Sequence, residues 1–145
     1  MTLVNDYPDH IFSLLDRTLR TLRDDIQERA IDPDTRGLRT SQLRVVSLTP
    51  PDGLRVTDLA DRVGMTAQAL GEFVRDLTAR GLLEVVPDPN DGRARIVRPT
   101  PAGLTTAAEW QRDITEMEAH WRDLLGPRRW DTMRRVLADV IAERQ

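Results

Sequence analysis

Apolar residues recur at helical spacing near both ends of the chain and give way to strand-like alternation only in a short stretch of its second half. Between residues 8 and 30, Ile11, Leu14, Leu15, Leu19, Leu22 and Ile26 recur mostly three and four apart. This predicts an amphipathic helix with Pro8 in its first turn, where a missing amide donor costs nothing. The turn-rich IDPDTRGL separates it from a second helix, about Ser41 to Leu48, with Thr40 or Ser41 as its cap. TPPDG stops that helix, and Leu54-Arg55-Val56 reads as a very short strand. Thr57 is placed to cap a helix from Asp58 to Val63 that buries Leu59, Ala60 and Val63. Gly64 supplies the sharp corner. Thr66 caps the next helix, Ala67 to Arg80, with Leu70, Phe73, Val74 and Leu77 inward, and Gly81 ends it in a left-handed conformation.

Leu83 to Val86 and Arg95 to Arg98 are then predicted strands, joined by the turn PDPNDG. Thr100-Pro101 starts a long helix that runs to Leu125, about 25 residues or roughly 38 Å. Gly126-Pro127 breaks it, and a last helix from about Arg128 carries Trp130, Met133, Val136, Leu137, Val140 and Ile141 on its apolar stripe. Helix, turn, helix and hairpin in this order make a winged helix-turn-helix, a module that sets one helix in the DNA major groove. The expected fold is mostly α. Residues 39–100 form the winged DNA-binding unit, and residues 8–30 with 101–145 form an all-helical region for dimerisation. Helices this long and this apolar on one side need a partner face, either each other within one chain or a second copy; the second copy is favoured because it also sets two recognition helices about one helical turn apart.

Composition narrows the function classes. The 145 residues contain no cysteine, which removes disulfides, thiolate nucleophiles, thiolate metal sites and cysteine-based redox sensing. Two histidines far apart in sequence, His10 and His120, argue against a histidine-rich metal site. No glycine-rich phosphate loop or histidine–carboxylate cluster is present, so neither an enzyme nor a bound cofactor is expected. There is no membrane-length apolar run, and MTLVNDYPDH lacks a basic region followed by an apolar one, so the expected location is the cytoplasm. The net charge of −3 argues mildly against nucleic-acid binding. Within residues 55–98 seven arginines balance seven acids, but Arg93, Arg95 and Arg98 cluster at the end.

The outward side of the second helix of the pair carries Thr66, Ala67, Gln68, Ala69, Glu72, Arg75 and Asp76. A glutamine amide can pair bidentately with adenine, which makes Gln68 the best candidate base reader. Thr66 and the amides beside it suit a phosphate, Ala67 and Ala69 suit a thymine methyl or close approach, and Arg75 suits a phosphate or an ion pair. Glu72 can accept from cytosine N4 but repels phosphate. Gly71 costs a helix roughly 1 kcal/mol against alanine, which points to close approach by DNA or by a neighbouring helix. Arg93 and Arg95 alternate along one strand and share a face, suited to a narrow, electronegative minor groove. Asp88 and Asp91 flank them as candidate turn caps and ion-pair partners.

These stretches resemble the MarR family of bacterial transcription regulators. LRVTDLADRVGMTAQALGEFVRDLTARGLL matches its helix-turn-helix, DPNDGRARIVRPTPAG its wing and following helix, and SQLRVVSL its second helix. The resemblance implies a homodimer bound to an inverted repeat of double-stranded DNA, most often as a repressor. It places Arg93, and with it Arg95, in the minor groove, and Thr66, Ala67, Gln68 and Ala69 in the major groove. It also implies a small aromatic or anionic effector held between the DNA-binding lobe and the dimer helices. Arg17 and Trp110 are the candidate effector contacts, with Trp121, Trp130, His10 and His120 as further large or ionisable groups on the terminal helices. The chain departs from the family at Gly71, at Glu72 and at Pro99, and the proline is expected to end the last strand a residue early. An unusual operator accounts for these departures, and so does the alternative function, a winged protein-interaction or antirepressor module without operator binding.

Overall fold

The computed structural model describes residues 10–29 and 37–145. Among these residues, six helices and three strands follow one another as α1 (Ile11–Arg29), α2 (Thr40–Leu48), β1 (Leu54–Arg55), α3 (Val56–Val63), α4 (Ala67–Ala79), β2 (Leu83–Asp88), β3 (Asp91–Pro99), α5 (Pro101–Leu125) and α6 (Pro127–Ala142). This is the expected mostly helical, winged helix-turn-helix architecture. Pro8 and most of the 31–38 connection lie outside the described residues.

The core lies where α2, α3, α4 and the sheet meet. Leu43, Val45 and Val46 of α2, Leu59 and Val63 of α3, Leu70 and Leu77 of α4, and Leu83 and Val97 of the hairpin are almost completely excluded from solvent. Ile26 of α1 and Trp110 and Met117 of α5 close the cluster from the other side. Burying a side chain of this size stabilises a fold by about 1.5–3 kcal/mol, so this core fixes how α4 and the hairpin are presented.

The sheet has the order β1-β3-β2 and is antiparallel throughout. Its hairpin is tighter than the expected six-residue turn, because Asp88 pairs directly with Asp91 and leaves only Pro89 and Asn90 at the tip. Nor does β3 stop before Pro99. Pro99 pairs with Leu83 and is buried, and the ladder bond beside it comes from the Thr100 amide to Leu82 O, at 3.1 Å, so the donor that proline lacks is not called for. Thr100 then closes the junction. Its hydroxyl donates to Gly81 O at 2.5 Å and accepts from the Gly103 amide at 3.0 Å, so one side chain ties the end of α4 to the start of α5.

Two caps differ from expectation. Arg39, not Thr40 or Ser41, is the N-cap of α2, and its amide donates to Gln42 Oε1 at 2.8 Å. Gln42, third in the helix, thus satisfies the N-cap amide in the manner of a capping box. Likewise α3 starts at Val56, with Arg55 as N-cap and Thr57 already inside the helix. The β1 backbone delivers the chain in an extended conformation two residues earlier than the threonine signal suggested. Gly64 (φ +78°) makes the corner between α3 and α4 as expected, and Thr66 caps α4 by accepting from the Ala69 amide at 3.1 Å.

The terminal helices are less covered. In α1 only Ser13 and Ile26 are buried, while Ile11, Phe12, Leu14, Leu15 and Leu19 face outward. In α6 only Trp130 is buried, and Val136, Leu137, Val140 and Ile141 are exposed. Trp121 ties α5 to α1 by donating from Nε1 to Asp25 Oδ2 at 2.8 Å, beside the Arg29–Asp25 ion pair. Burial pushes the Asp25 carboxyl up, but the hydrogen bonds from Arg29 and Trp121 and the nearby positive charges outweigh it and hold the group below the usual carboxylate range.

Candidate nucleic-acid interface

Helix α4 is anchored on one side and open on the other. Leu70, Val74 and Leu77 are buried, with Phe73 half-buried beside them. A polar clasp secures the same helix to α2, since the buried Gln42 donates from Nε2 to Asp76, which also pairs with Arg80 at 3.2 Å. Asp76, expected on the outward side, therefore turns back into the protein and is half-buried.

The opposite side keeps Thr66, Ala67, Gln68, Glu72 and Arg75 exposed, with Ala69 half-buried. Gln68, Glu72 and Arg75 follow at spacings of four and three and so form one stripe. Among the described residues none of these three side chains has a hydrogen-bond or ion-pair partner. The amides of Ala67 and Gln68 in the first turn are likewise unpaired, as the geometry of a helix start requires. Nothing lies within 4 Å of where a Cβ on Gly71 would be, so no neighbouring helix explains that glycine.

The hairpin projects past the core with Arg93 and Arg95 exposed on the face that Val97 and Pro99 bury further down. Neither arginine forms an ion pair among the described residues. The tip is held from elsewhere. Asp88, itself buried, accepts from the Asn90 amide at 2.9 Å and from Arg55 Nε and Nη2 at 3.1 and 2.9 Å. Asp91 accepts from the Arg93 amide at 3.1 Å and lies 3.8 Å from the same guanidinium. The Asn90 amide, and after it Arg55, hold the Asp88 carboxyl below the usual range against the effect of burial. The two aspartates do cap the turn, but their cation is Arg55 of β1, which the sequence reading left without a role. Its only signal was an arginine in a two-residue strand that pairs beside the wing.

A second feature lies on the far side of the core, a cavity of about 1020 Å³ between α1, α2, α5 and the α3–α4 corner. Leu22, Ile26, Trp110, Ile114 and Met117 form its apolar walls, and Arg23, Arg44 and Arg62 reach it from three different helices. Arg44 donates from Nη1 to the Val63 carbonyl at 2.6 Å, at the end of α3. Arg23 and Arg62 have no ion-pair partner among the described residues. Trp110 thus lines this cavity, whereas Arg17 lies further towards the start of α1 and does not. Trp121 is half-buried against Asp25, Trp130 is buried at the start of α6, and His10 and His120 lie on exposed surface. No group of metal-ligating side chains occurs among the described residues, and no described helix is long and apolar enough to cross a membrane.

Comparison with known proteins gives a consistent picture. The MarR family model matches residues 36–94, a stretch that includes α2, β1, α3, α4, β2 and the start of β3. No curated protein shows significant sequence similarity. Among solved structures, the PcaV transcriptional regulator of Streptomyces coelicolor, in complex with its natural ligand, aligns over 94% of this chain and 95% of its own at 24% identity and a TM-score of 0.72. The transcriptional repressor CouR on a 23-mer DNA duplex aligns over 92% and 93% at 23% identity and a TM-score of 0.77. BpsR of Bordetella bronchiseptica, whose DNA binding is regulated by 6-hydroxynicotinic acid, aligns over 91% and 93% at 21% identity and a TM-score of 0.74.

Proposed function

We propose that this chain, which belongs to the MarR family, works as a homodimeric, sequence-specific DNA-binding transcription regulator, and as a repressor acting on an inverted-repeat operator. The observation that carries this reading is the uncovered surface of one rigid module: the open stripe of α4 and the unpaired arginines of the wing. A firmly buried underside makes such a surface useful, because base reading needs groups held in fixed positions. In this reading residues 39–100 bind DNA. Gln68 reads bases, Thr66 and the first-turn amides hold a phosphate, Ala67 and Ala69 allow close approach, and Arg75 contacts the backbone. Arg93 and Arg95 enter the minor groove. Glu72, exposed and unneutralised, disfavours wrong sequences more than it adds affinity.

Residues 8–30 and 101–145 join two copies in the same reading. The exposed apolar faces of α1 and α6 support this, because contiguous apolar surface of that kind is costly in water unless a partner covers it. A second copy is the occupant that gives a palindromic operator two recognition helices.

The cavity beside α2 supports an effector with an anionic group and a flat apolar body, since three arginines and a tryptophan converge there. That CouR was seen on DNA and PcaV with a natural ligand is a property of those proteins, and it makes the same pair of sites worth testing here. The test is footprinting on the DNA upstream of the protein's own coding region, with titration in rising salt. An operator binder loses affinity steeply as salt rises, because each neutralised phosphate releases counterions. Absence of duplex binding even at low salt refutes the reading and favours the protein-interaction alternative. Release of bound DNA by aromatic carboxylic acids, but not by their amides, is the result expected for the effector.

A further inference from the structure

The wing contains more acid than a minor-groove reader can use. Asp88 and Asp91 bracket the two-residue tip, and Arg93 is two positions beyond. Left to themselves, two carboxylates at this distance compete with the DNA for Arg93 and repel the phosphates on either side of the groove. The structure directs a different cation at them. Arg55 reaches across from β1 and puts two donors on Asp88 Oδ2, with Asp91 3.8 Å away. The other oxygen of Asp88 holds the Asn90 amide, and Asp91 holds the Arg93 amide, so each carboxylate also shapes the turn.

We propose that Arg55 is a positioning residue for minor-groove reading: by occupying Asp88 and Asp91 from outside the hairpin, it leaves the Arg93 and Arg95 guanidinium groups free for DNA. The inference rests on the reading of this chain as a DNA binder, and it assigns to β1 a part in recognition without contact. Three geometric facts support it together. Arg55 is on the strand paired to β3 at Ile96, close enough to reach the tip yet outside the Arg93–Arg95 register. Asp88 is buried, so it cannot turn to solvent when its cation is lost. The turn has only two residues, which leaves the carboxylates no slack to move apart.

The test exploits a property of asparagine: it keeps the oxygen that caps each amide and drops the charge. Arg55→Gln alone is expected to weaken operator binding about tenfold, of the order seen for coupled neighbours. Asp88→Asn with Asp91→Asn in the presence of Arg55 should change affinity less than about threefold, and adding both to Arg55→Gln should recover most of the loss. Amide hydrogen exchange at Asn90 and Arg93, read without DNA, should accelerate in Arg55→Gln while the α5 amides stay protected. That readout keeps a local effect apart from general unfolding. Additive losses, with no recovery by the two asparagines, overturn the proposal and make Arg55 a direct phosphate contact. Unmoved exchange at the tip overturns the clasp itself. Failure of the unmutated protein to bind any duplex overturns both this inference and the regulator reading, whereas binding with additive losses removes only the role of Arg55.

Discussion

The same substitution, glycine to alanine, should have opposite effects at two helical positions. Gly71 is in the middle of α4 with nothing within 4 Å of an added Cβ, so only helix propensity acts inside the chain. Alanine there is expected to stabilise by about 1 kcal/mol. Gly103 is in the first turn of α5, where an added Cβ would run into the Leu82 carbonyl oxygen and lie 3.3 Å from Pro99 Cβ. That carbonyl cannot yield cheaply, because it accepts the Thr100 amide that closes β3 onto α5. The propensity gain is overrun, and a net loss of about 1–3 kcal/mol is expected, as for other overpacked sites. For a chain of this size each kcal/mol moves the melting temperature by about 2–4 °C, so thermal unfolding followed by circular dichroism resolves the two signs. Protein concentration must be held fixed, since association shifts the transition. A second measurement uses the stabilised variant. If Gly71 exists to let a duplex approach α4, Gly71→Ala should weaken operator binding at least about tenfold while raising the melting temperature, a 1.4 kcal/mol loss of contact. A melting temperature that does not rise refutes the packing argument. One that rises with unchanged DNA affinity refutes the placing of Gly71 against DNA.

Three further outcomes are expected. Arg93→Ala should weaken operator binding at least about tenfold in a fluorescence-anisotropy titration and reduce the salt dependence by about one phosphate, without changing the dimer mass. The protein should sediment as a dimer at micromolar concentration, and Val140→Asp with Ile141→Asp, which puts charge on the exposed face of α6, should leave a folded monomer. For Asp25, whose folded carboxyl is held low, the stabilisation is complete above the ordinary carboxylate value and is lost as pH falls through the lower folded one. Trp121→Phe removes one of the donors responsible, so it should cost about 1 kcal/mol at neutral pH and move the acid-unfolding midpoint upward, read by circular dichroism.

Much of the fold could be read in advance because local signals and global packing agree. The periods of α4 and α5, the glycine corner at Gly64, the threonine caps at Thr66 and Thr100 and the Gly126-Pro127 break are all properties of a few adjacent residues. The failures have a common physical source. Thr57 and Ser41 are good caps in isolation, but β1 and the Arg39–Gln42 bond set the helix starts two residues and one residue earlier, respectively, through contacts that a local reading does not weigh. The last strand is expected to stop before Pro99, yet it runs through it. The Thr100–Leu82 bond makes Leu83–Pro99 a non-hydrogen-bonded pair and β1 no longer flanks β3 there, so the missing donor breaks no ladder bond. The clasp of Arg55 on Asp88 spans 33 positions, and the arginines of the cavity come from α1, α2 and α3, so no spacing rule could have grouped them.

Charge bears on the same point. A net charge of −3 reads as unfavourable for a DNA binder only if every acid is free to face the duplex. In the winged module, residues 39–100, four of the eight acids are not. Asp76 is taken by Gln42 and Arg80, Glu84 by Arg98 at 2.6 Å, and Asp88 and Asp91 by Arg55. Each pair is neutralised beside or behind the proposed reading surface, at the expense of an arginine that is then committed to the protein. The positive charge left uncommitted on that surface is Arg75, Arg93 and Arg95, and the uncommitted negative charge on the α4 stripe is Glu72. A local balance of this kind favours phosphate contacts at the wing and a restrictive one at the middle of α4. The ratio of specific to non-specific affinity should therefore depend on Glu72 more than the affinity itself does. Glu72→Gln tests this directly. It should tighten binding to random-sequence duplex by several-fold, through loss of one repulsive charge, while improving operator binding less. Equal tightening on both duplexes would show that Glu72 contributes only to charge, and a loss confined to the operator would make it a base reader through cytosine N4.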